Sequence, residues 1–388
     1  MVRPLQEAIL AALSSASRLT DRGYEAVVVG GAVRDLLLGR GSGEADLATS
    51  APWDQVLELW PGAPVVGHPP AATVIARSGE YRVDISSFQG GSLEEDLGRR
   101  DLTINAMAVT ADGTIVDPWG GTADLAKGLL RFTGDPRERL ASDPLRAVRL
   151  ARFAAELPSF RVDPASREAC RGFASRVASM PPPRIGREAL KALDGDLPTF
   201  LDSLERQGII ASVLPFWGEI LSDRKNAALE RVRRACSLTY DRAVRAACLL
   251  ADAGPGAGAM VSAWGWPKGL AREAVNLVRY RSLAPRGGNA GDWASLFSSQ
   301  GAPWLGKLLL FGYIDKLESD PLTVEPAMYM LRLQAFGPRV TGEEVMGLTG
   351  LERGPQIGGI LADLDEAIAL KKVKDRRQAL RWVLSHLP

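Results

Sequence analysis

The chain has 388 residues, 46% hydrophobic and 24% charged, with a formal net charge of +1; it exceeds one compact core and suits about two to four globular domains. Two histidines (His68, His386) and three scattered cysteines (Cys170, Cys236, Cys248) argue against a zinc site, a histidine triad or a disulfide framework. No apolar run approaches the ~20 residues of a membrane span, and MVRPLQEAIL has no signal-peptide core, so a cytoplasmic protein without a membrane partner is expected. Any chemistry must then rest on carboxylates, arginines and a metal ion.

In chain order, residues 1 to about 25 read as an amphipathic helix (Leu5, Ile9, Leu13) that stops near Gly23. AVVVGG is a β-branched run ended by two glycines, AVRDLLLGR has helical spacing, and EADLATS alternates like a strand. ATVIAR and YRVDISSF suggest a hairpin around Ser78-Gly79, and SLEEDL opens a helix with Ser92 and Glu95 as a capping box. From Asp143 onward the pattern is almost uninterruptedly helical, broken by turns at Met180–Pro183, Gly254–Gly258 and Arg286–Gly291, without a fixed repeat. The last fifty residues hold a basic segment, expected to be helical, with Lys371, Lys372, Lys374, Arg376, Arg377 and Arg381. A mixed α/β head on a long helical body follows.

Three blocks carry chemistry. Gly30 and Gly31 end a strand and let backbone N–H groups approach a phosphate, with Arg34 one helical turn beyond to pair with its oxygens. Two glycines alone also suit an ordinary strand end. Glu44 and Asp46, at i and i+2 on a strand, project from one face, and like charges held together call for a cation; a solvated acidic edge is the plain alternative. Asp84, between Val83 and Ile85, is a third carboxylate placed to take a proton, or else a rim residue.

The second block is RRDLTINA, where Arg100 can clamp phosphates and Asp101 and Asn105 suit ribose hydroxyls; a helix end with surface arginines fits it equally. In the third, SDPLRAVRLARFAAEL, Asp143, Arg146, Arg149 and Arg152 recur every three residues on a helix opened by Pro144. The three arginines cover an arc of roughly 120°. Arginine can donate to cytosine N3 and O2 while aspartate accepts from the N4 amine, replacing a template strand. A solvated basic face is the alternative here.

In this order the blocks resemble the class II tRNA nucleotidyltransferase and bacterial poly(A) polymerase family: GGAVRDLLLG with EAD, RRDLTINA, DPWGGTADL, and SDPLR with further arginines, over roughly residues 25 to 160. The segment TGEEVM…GPQIGGIL…DRRQAL is similar to the C-terminal part of bacterial CCA-adding members. The resemblance implies an α+β fold, a polymerase-β-like nucleotidyltransferase head (1–140) followed by an all-helical neck that reads the base (141–195), body (196–290) and tRNA-binding tail (291–388). It also implies Mg²⁺ on Glu44 and Asp46, triphosphate contacts at Gly31, Arg34 and Arg100, and base reading by Asp143 and Arg146 supported by Arg149 and Arg152. The implied partners are the acceptor arm and TΨC region of tRNA, with Lys371 and Lys372 as candidate contacts, and CTP, with ATP as the alternative nucleotide.

Three departures matter. Glu44 stands where the family usually has Asp, Ser142 replaces the Glu of EDxxR, and VDISSFQGGSLEEDL runs almost directly from strand to helix. CCA-adding and A-adding relatives usually insert a longer flexible loop there, so the short connection resembles the CC-adding branch and favours CTP:tRNA cytidylyltransferase over a full CCA-adding enzyme. No long basic extension of the poly(A) polymerase kind is seen, and LLADAG near Ala251 lacks the histidines of an HD phosphohydrolase block. A non-catalytic RNA-binding relative, motivated by Glu44 and Ser142, and a small-molecule nucleotidyltransferase are the competing classes.

Overall fold

Val27 and Val29 face one side of the first strand and Val28 the other, and all three are buried, because this strand is covered on both faces. In the computed structural model, which describes residues 3–41, 44–68, 72–220, 222–283, 290–315, 340–370 and 372–386, β1 (Ala26–Val29) lies near the middle of a seven-stranded sheet. The other strands are β2 (Glu44–Thr49), β3 (Val65–Val66), β4 (Thr73–Ser78), β5 (Tyr81–Ser87), β6 (Ala108–Val109) and β7 (Ile115–Val116), in the order β3-β4-β5-β2-β1-β6-β7. Every pairing is antiparallel except β2 with β5.

Helix α1 (Arg3–Thr20) buries Ala12, Ala16 and Leu19 with Val28, Leu47, Val83 and Ile85 on one face of the sheet. Helices α2 (Gly31–Leu37) and α3 (Trp53–Leu59) follow β1 and β2. On the opposite face α4 (Leu93–Gly98) packs Leu93 and Leu97 against Val27, Val29 and Ala48. This division sets the site. Side chains alternate along a strand, so Ala45 and Leu47 go to the α1 face and Glu44, Asp46 and Ala48 to the other. On β5, Val83 and Ile85 leave Arg82 and Asp84 on that same second face.

The DPWGG block is scaffold. Asp117 accepts from the Gly121 and Thr122 N–H groups (2.7 and 2.8 Å) and caps α5 (Gly121–Ala126), as expected of an acid at a helix start. Asp124, buried, accepts from Thr103 Oγ1 (2.6 Å) and Arg131 Nε (2.9 Å) and so binds α5 to the RRDLTINA segment. A side chain at Gly121 would collide with the Thr103 carbonyl, which explains glycine there.

Beyond the sheet come α6 (Pro136–Ser142), α7 (Leu145–Glu156), α8 (Pro164–Arg171), α9 (Ala174–Ala178), α10 (Pro182–Ala192) and α11 (Leu197–Arg206). One detail departs from the all-helical expectation: β9 (Arg161–Val162) pairs in parallel with β8 (Leu129–Leu130). The chain forms two compact units, 1–188 with 199–215, and 189–198 with 216–388. The second is helical in its described residues. In it Arg231, 2% exposed, donates to the Cys248 carbonyl (3.0 Å), Asp315 (3.2 Å) and Asp252, and Arg281 pairs with both acids.

The terminal basic segment is shorter as a helix than expected. Asp375 accepts from the Gln378 N–H (2.9 Å) and caps a helix over Arg376–Ser385, so Lys372 and Lys374 precede it. Lys372 is exposed; Lys371 and the 286–289 part of the glycine-rich turn lie outside the described residues. Among the described residues no helix is long and apolar enough to cross a membrane.

Candidate active site

The acidic part of the site is built by strand register. Asp46 stands opposite Asp84 and Glu44 opposite Arg82 in the parallel β2–β5 ladder. Glu44 and Asp46 therefore share one face, with Asp84 beside them. Arg82 Nε and Nη2 hold Asp84 through a two-point contact (2.6 and 2.7 Å) and lie 3.8 Å from Glu44 at the nearest Nη1. The surrounding protein pushes the Asp46 carboxyl above its ordinary value, Arg100 opposes this, and Asp84 and Glu44 add to it. Asp46 is open to solvent on one side, so the effect is that of a recess rather than of a sealed interior.

Gly30 completes this recess. Its φ of +78° is one an L side chain rarely adopts, and a Cβ there would lie 2.8 Å from Arg100 Nη1 and 3.4 Å from Asp46 Oδ2. The guanidinium and the carboxylate thus converge over bare backbone. The Gly30 N–H itself donates to the Met107 carbonyl (3.2 Å), which leaves Gly31, the first residue of α2, at the open end of the turn. Arg100 touches Asp96 Oδ2 (3.2 Å) and keeps a buried Nε without a protein acceptor among the described residues.

The acids fit a divalent cation. Among the described residues no three acids, histidines or cysteines are already closed into a ligand cage. Still, Glu44 and Asp46 project from one strand face, and the mutual repulsion of Asp46, Asp84 and Glu44 is the kind a hard cation with oxygen ligands relieves.

Three expected ligand contacts are placed otherwise. Arg34 is 4% exposed, not free: it donates to Asp35 (2.9 and 3.0 Å), Asn105 Oδ1 (3.0 Å) and Glu156 (2.7 Å). Asn105 is buried too, and its amide donates to Asp101 Oδ1 (3.1 Å) rather than facing open space. Arg152 donates to Glu188 and Glu156 (both 2.7 Å) and stacks over Phe153. The reason is common to all three. Buried donors must be satisfied, and here they join one chain, Arg149–Asp101–Asn105–Arg34–Glu156–Arg152–Glu188, running from the RRDLTINA segment through α2 and α7 to α10.

Asp101 anchors that chain. Burial alone would raise its carboxyl, but Arg149 at 2.7 Å, the Asn105 amide, the Leu102 N–H and Arg152 together hold it below the ordinary range. The supposed row of arginines on α7 therefore divides. Arg152 is neutralised within the fold, Arg149 leans on Asp101, and Arg146 is left over. Arg146 donates to the Arg99 carbonyl (2.7 Å) and has a buried Nη1 without a protein acceptor among the described residues. Burial and the nearby Arg139 and Arg149 push its pKa down, against the pull of Asp101 and Asp143.

Asp143 sits just before α7, where Oδ1 accepts from the Leu145 N–H (3.2 Å) and Oδ2 from Arg184 Nη2 (2.9 Å). Several participants had no local signal. Arg139 donates to the Gly98 carbonyl (2.7 Å) and has a buried Nε unpaired among the described residues; Arg184 comes from α10; Asp96, in α4, accepts from Arg100 (3.2 Å). Buried Nε or Nη atoms of Arg100, Arg139, Arg146 and Arg149, without acceptors among the described residues, suit an anionic or base-edge ligand.

The arrangement has close parallels among known proteins. Residues 66–131 match the poly A polymerase head domain, and residues 159–221 match the family described as the probable RNA and SrmB-binding site of polymerase A. The chain is 38% identical over 191 residues to the CC-adding tRNA nucleotidyltransferase of Halalkalibacterium halodurans, covering 49% of this chain and 50% of that protein. It is 28% identical over 406 residues to a CCA-adding enzyme of a Geobacillus species, covering 98% of each. The solved structure of the Bacillus stearothermophilus CCA-adding enzyme in complex with CTP is similar, with a TM-score of 0.76, 27% identity, and coverage of 99% of this chain and 98% of that one. The match thus spans half the length of the first relative and nearly all of the second.

Proposed function

Because this chain belongs to the family of class II tRNA nucleotidyltransferases and bacterial poly(A) polymerases, we propose that it transfers CMP from CTP to the 3′ end of tRNA and builds the CC of the CCA terminus. Glu44 and Asp46 would hold Mg²⁺. When bound, the ion supplies charge stabilisation to the triphosphate and acidifies the attacking 3′-hydroxyl. Asp84, held by Arg82, accepts the hydroxyl proton as the 3′-oxygen bonds to the α-phosphorus of CTP, the bond from that phosphorus to the β-phosphate oxygen breaks, and pyrophosphate leaves. Gly30 supplies the bare surface the triphosphate needs, and Gly31 and Arg100 contact its oxygens.

Asp143 and Arg146 read the cytosine edge: the carboxylate accepts from N4 and the guanidinium donates to N3 and O2. Arg34, Asn105, Arg149 and Arg152 support the nucleotide through the chain that fixes α7 against the RRDLTINA segment. The neck assignment to residues 141–195 belongs to this reading, as do the body and tail that hold the acceptor arm and TΨC region, with Lys371 and Lys372 on phosphates.

One observation favours CC over CCA. Only residues 88–92 separate β5 from α4. They are tied down by Phe88 N–H to the Thr49 carbonyl (2.7 Å), Gln89 N–H to Asp96 (2.9 Å) and Gly91 N–H to Glu95 (2.7 Å). A connection of this kind has no slack with which to remodel the pocket for a second nucleotide. Product analysis on tRNA lacking its CCA end, given CTP, ATP or both, tests this. Two added cytidines and no adenosine, even with both nucleotides present, support the proposal; a terminal adenosine makes it a full CCA-adding enzyme using CTP and ATP. No incorporation supports a non-catalytic RNA-binding relative.

A further inference from the structure

We infer that Arg184 is a specificity-positioning residue, which holds the Asp143 carboxylate so that a keto base cannot be accommodated where cytosine binds; this rests on the base-reading role proposed above. Asp143 lies in the extended joint between α6 and α7, with φ −151° and ψ 100°, where no helical neighbours restrict its rotamer. Two bonds from different parts of the chain do so instead. Leu145 N–H holds Oδ1 at 3.2 Å, and Arg184, 41 residues further on, holds Oδ2 at 2.9 Å. Ser142 contributes nothing to this, since its hydroxyl donates to the Arg139 carbonyl (2.8 Å).

The chemistry of the base edge makes the restraint matter. Cytosine presents an amine at the position where uracil presents a carbonyl. A fixed carboxylate accepts from the amine and repels the carbonyl. A loose one turns to another staggered rotamer, and the repulsion is lost along with part of the attraction. Specificity is a difference of affinities and depends on the repulsive element as much as on the attractive one. Arg184 therefore matters more for rejecting UTP than for using CTP. The pair is partly exposed, with side-chain exposures of 38% and 24%, so its loss costs the fold little.

The test compares the full-length wild-type chain with Arg184→Gln, Arg184→Lys, Asp143→Asn and the Asp143→Asn/Arg184→Gln double variant. For each, kcat/KM for CTP and for UTP is measured on tRNA lacking its CCA end, and equilibrium binding of CTP and UTP is measured without tRNA. Arg184→Gln is expected to lower CTP-over-UTP selectivity about tenfold, within the range one base-edge contact supplies. Arg184→Lys should recover most of it, and Arg184→Gln should add nothing to the selectivity loss of Asp143→Asn. Unchanged selectivity in Arg184→Gln overturns the inference; if that variant incorporates nothing, an unchanged ratio of CTP to UTP binding overturns it equally. A wild-type chain that incorporates no CTP defeats the functional reading itself, and the inference with it.

Discussion

Arg281 and Arg146 are both partly buried arginines, yet their environments act in opposite directions. Burial would lower Arg281, but Asp315 and Asp252 outweigh it and raise its pKa. For Arg146, burial and the like charges of Arg139 and Arg149 prevail over Asp101 and Asp143 and lower it. In the 216–388 unit, two guanidiniums meet two carboxylates and the charges are consumed by the fold. In the 1–188 unit, acids gather on β2 and β5 while arginine donors remain over at Arg100, Arg139, Arg146 and Arg149. Charge paired within the fold is scaffold; on the sheet Arg82 holds Asp84 and lies near Glu44, and what is left over among the described residues is a set of buried arginine N–H groups of a kind that suits a ligand.

The largest effect should come from the acidic face. Asp46→Asn is expected to reduce CTP incorporation about 10³-fold, some 4 kcal/mol of transition-state stabilisation, measured by single-turnover kinetics. The same variant should make the ligand-free protein slightly more heat-stable. The Asp46 carboxyl is raised, so the folded chain holds that proton more tightly than the unfolded one. Its contribution to stability is therefore present at acid pH and is lost as pH rises through the folded value, above the ordinary 3.8. Removing the charge should lift Tm at neutral pH by about 1–2 °C in calorimetry; a fall in Tm would contradict the picture of a carboxylate whose charged form burial disfavours.

Next is the matched network. Arg231→Ala leaves two half-buried carboxylates with Arg281 alone and should cost about 3 kcal/mol in denaturant unfolding, without altering the CTP-to-UTP ratio. A change in nucleotide choice there would break the contrast between the two charge clusters. Arg146→Ala should do the reverse, lowering kcat/KM for CTP by about 10²-fold, or ~2.7 kcal/mol, with little loss of stability. The smallest effect is expected from Lys372→Ala, which should reduce the slope of log affinity for tRNA against log salt by about 1. An unchanged slope would remove this exposed lysine from the tRNA surface.

The site was legible where the carriers are neighbours along the chain. GGAVRD and EAD mark a glycine turn and an acidic strand face, and β1, β2 and the β4–β5 hairpin lie where the β-branched runs and the Ser78-Gly79 turn indicated. Spacing on α7 suggested one row of ligand-facing arginines, and there the reading exceeded what periodicity can carry. Period places Arg146, Arg149 and Arg152 on one side of a helix; it does not say which acid each meets. Glu188 and Glu156 take Arg152, Asp101 takes Arg149, and Arg146 remains.

Sequence alone determined the residue types, the strand parity that puts Glu44 and Asp46 on one face, and the short 88–92 connection, because these are local matters of covalent spacing and backbone geometry. Only tertiary structure decided that Asp84 stands beside Asp46, that Gly30 lies bare between Arg100 and Asp46, that Arg34 is buried, and that Asp143 is held by Arg184. Those outcomes depend on partners up to 122 residues apart, as for Arg34 and Glu156. Burial makes such pairings obligatory, since a donor removed from water must find an acceptor wherever the fold supplies one.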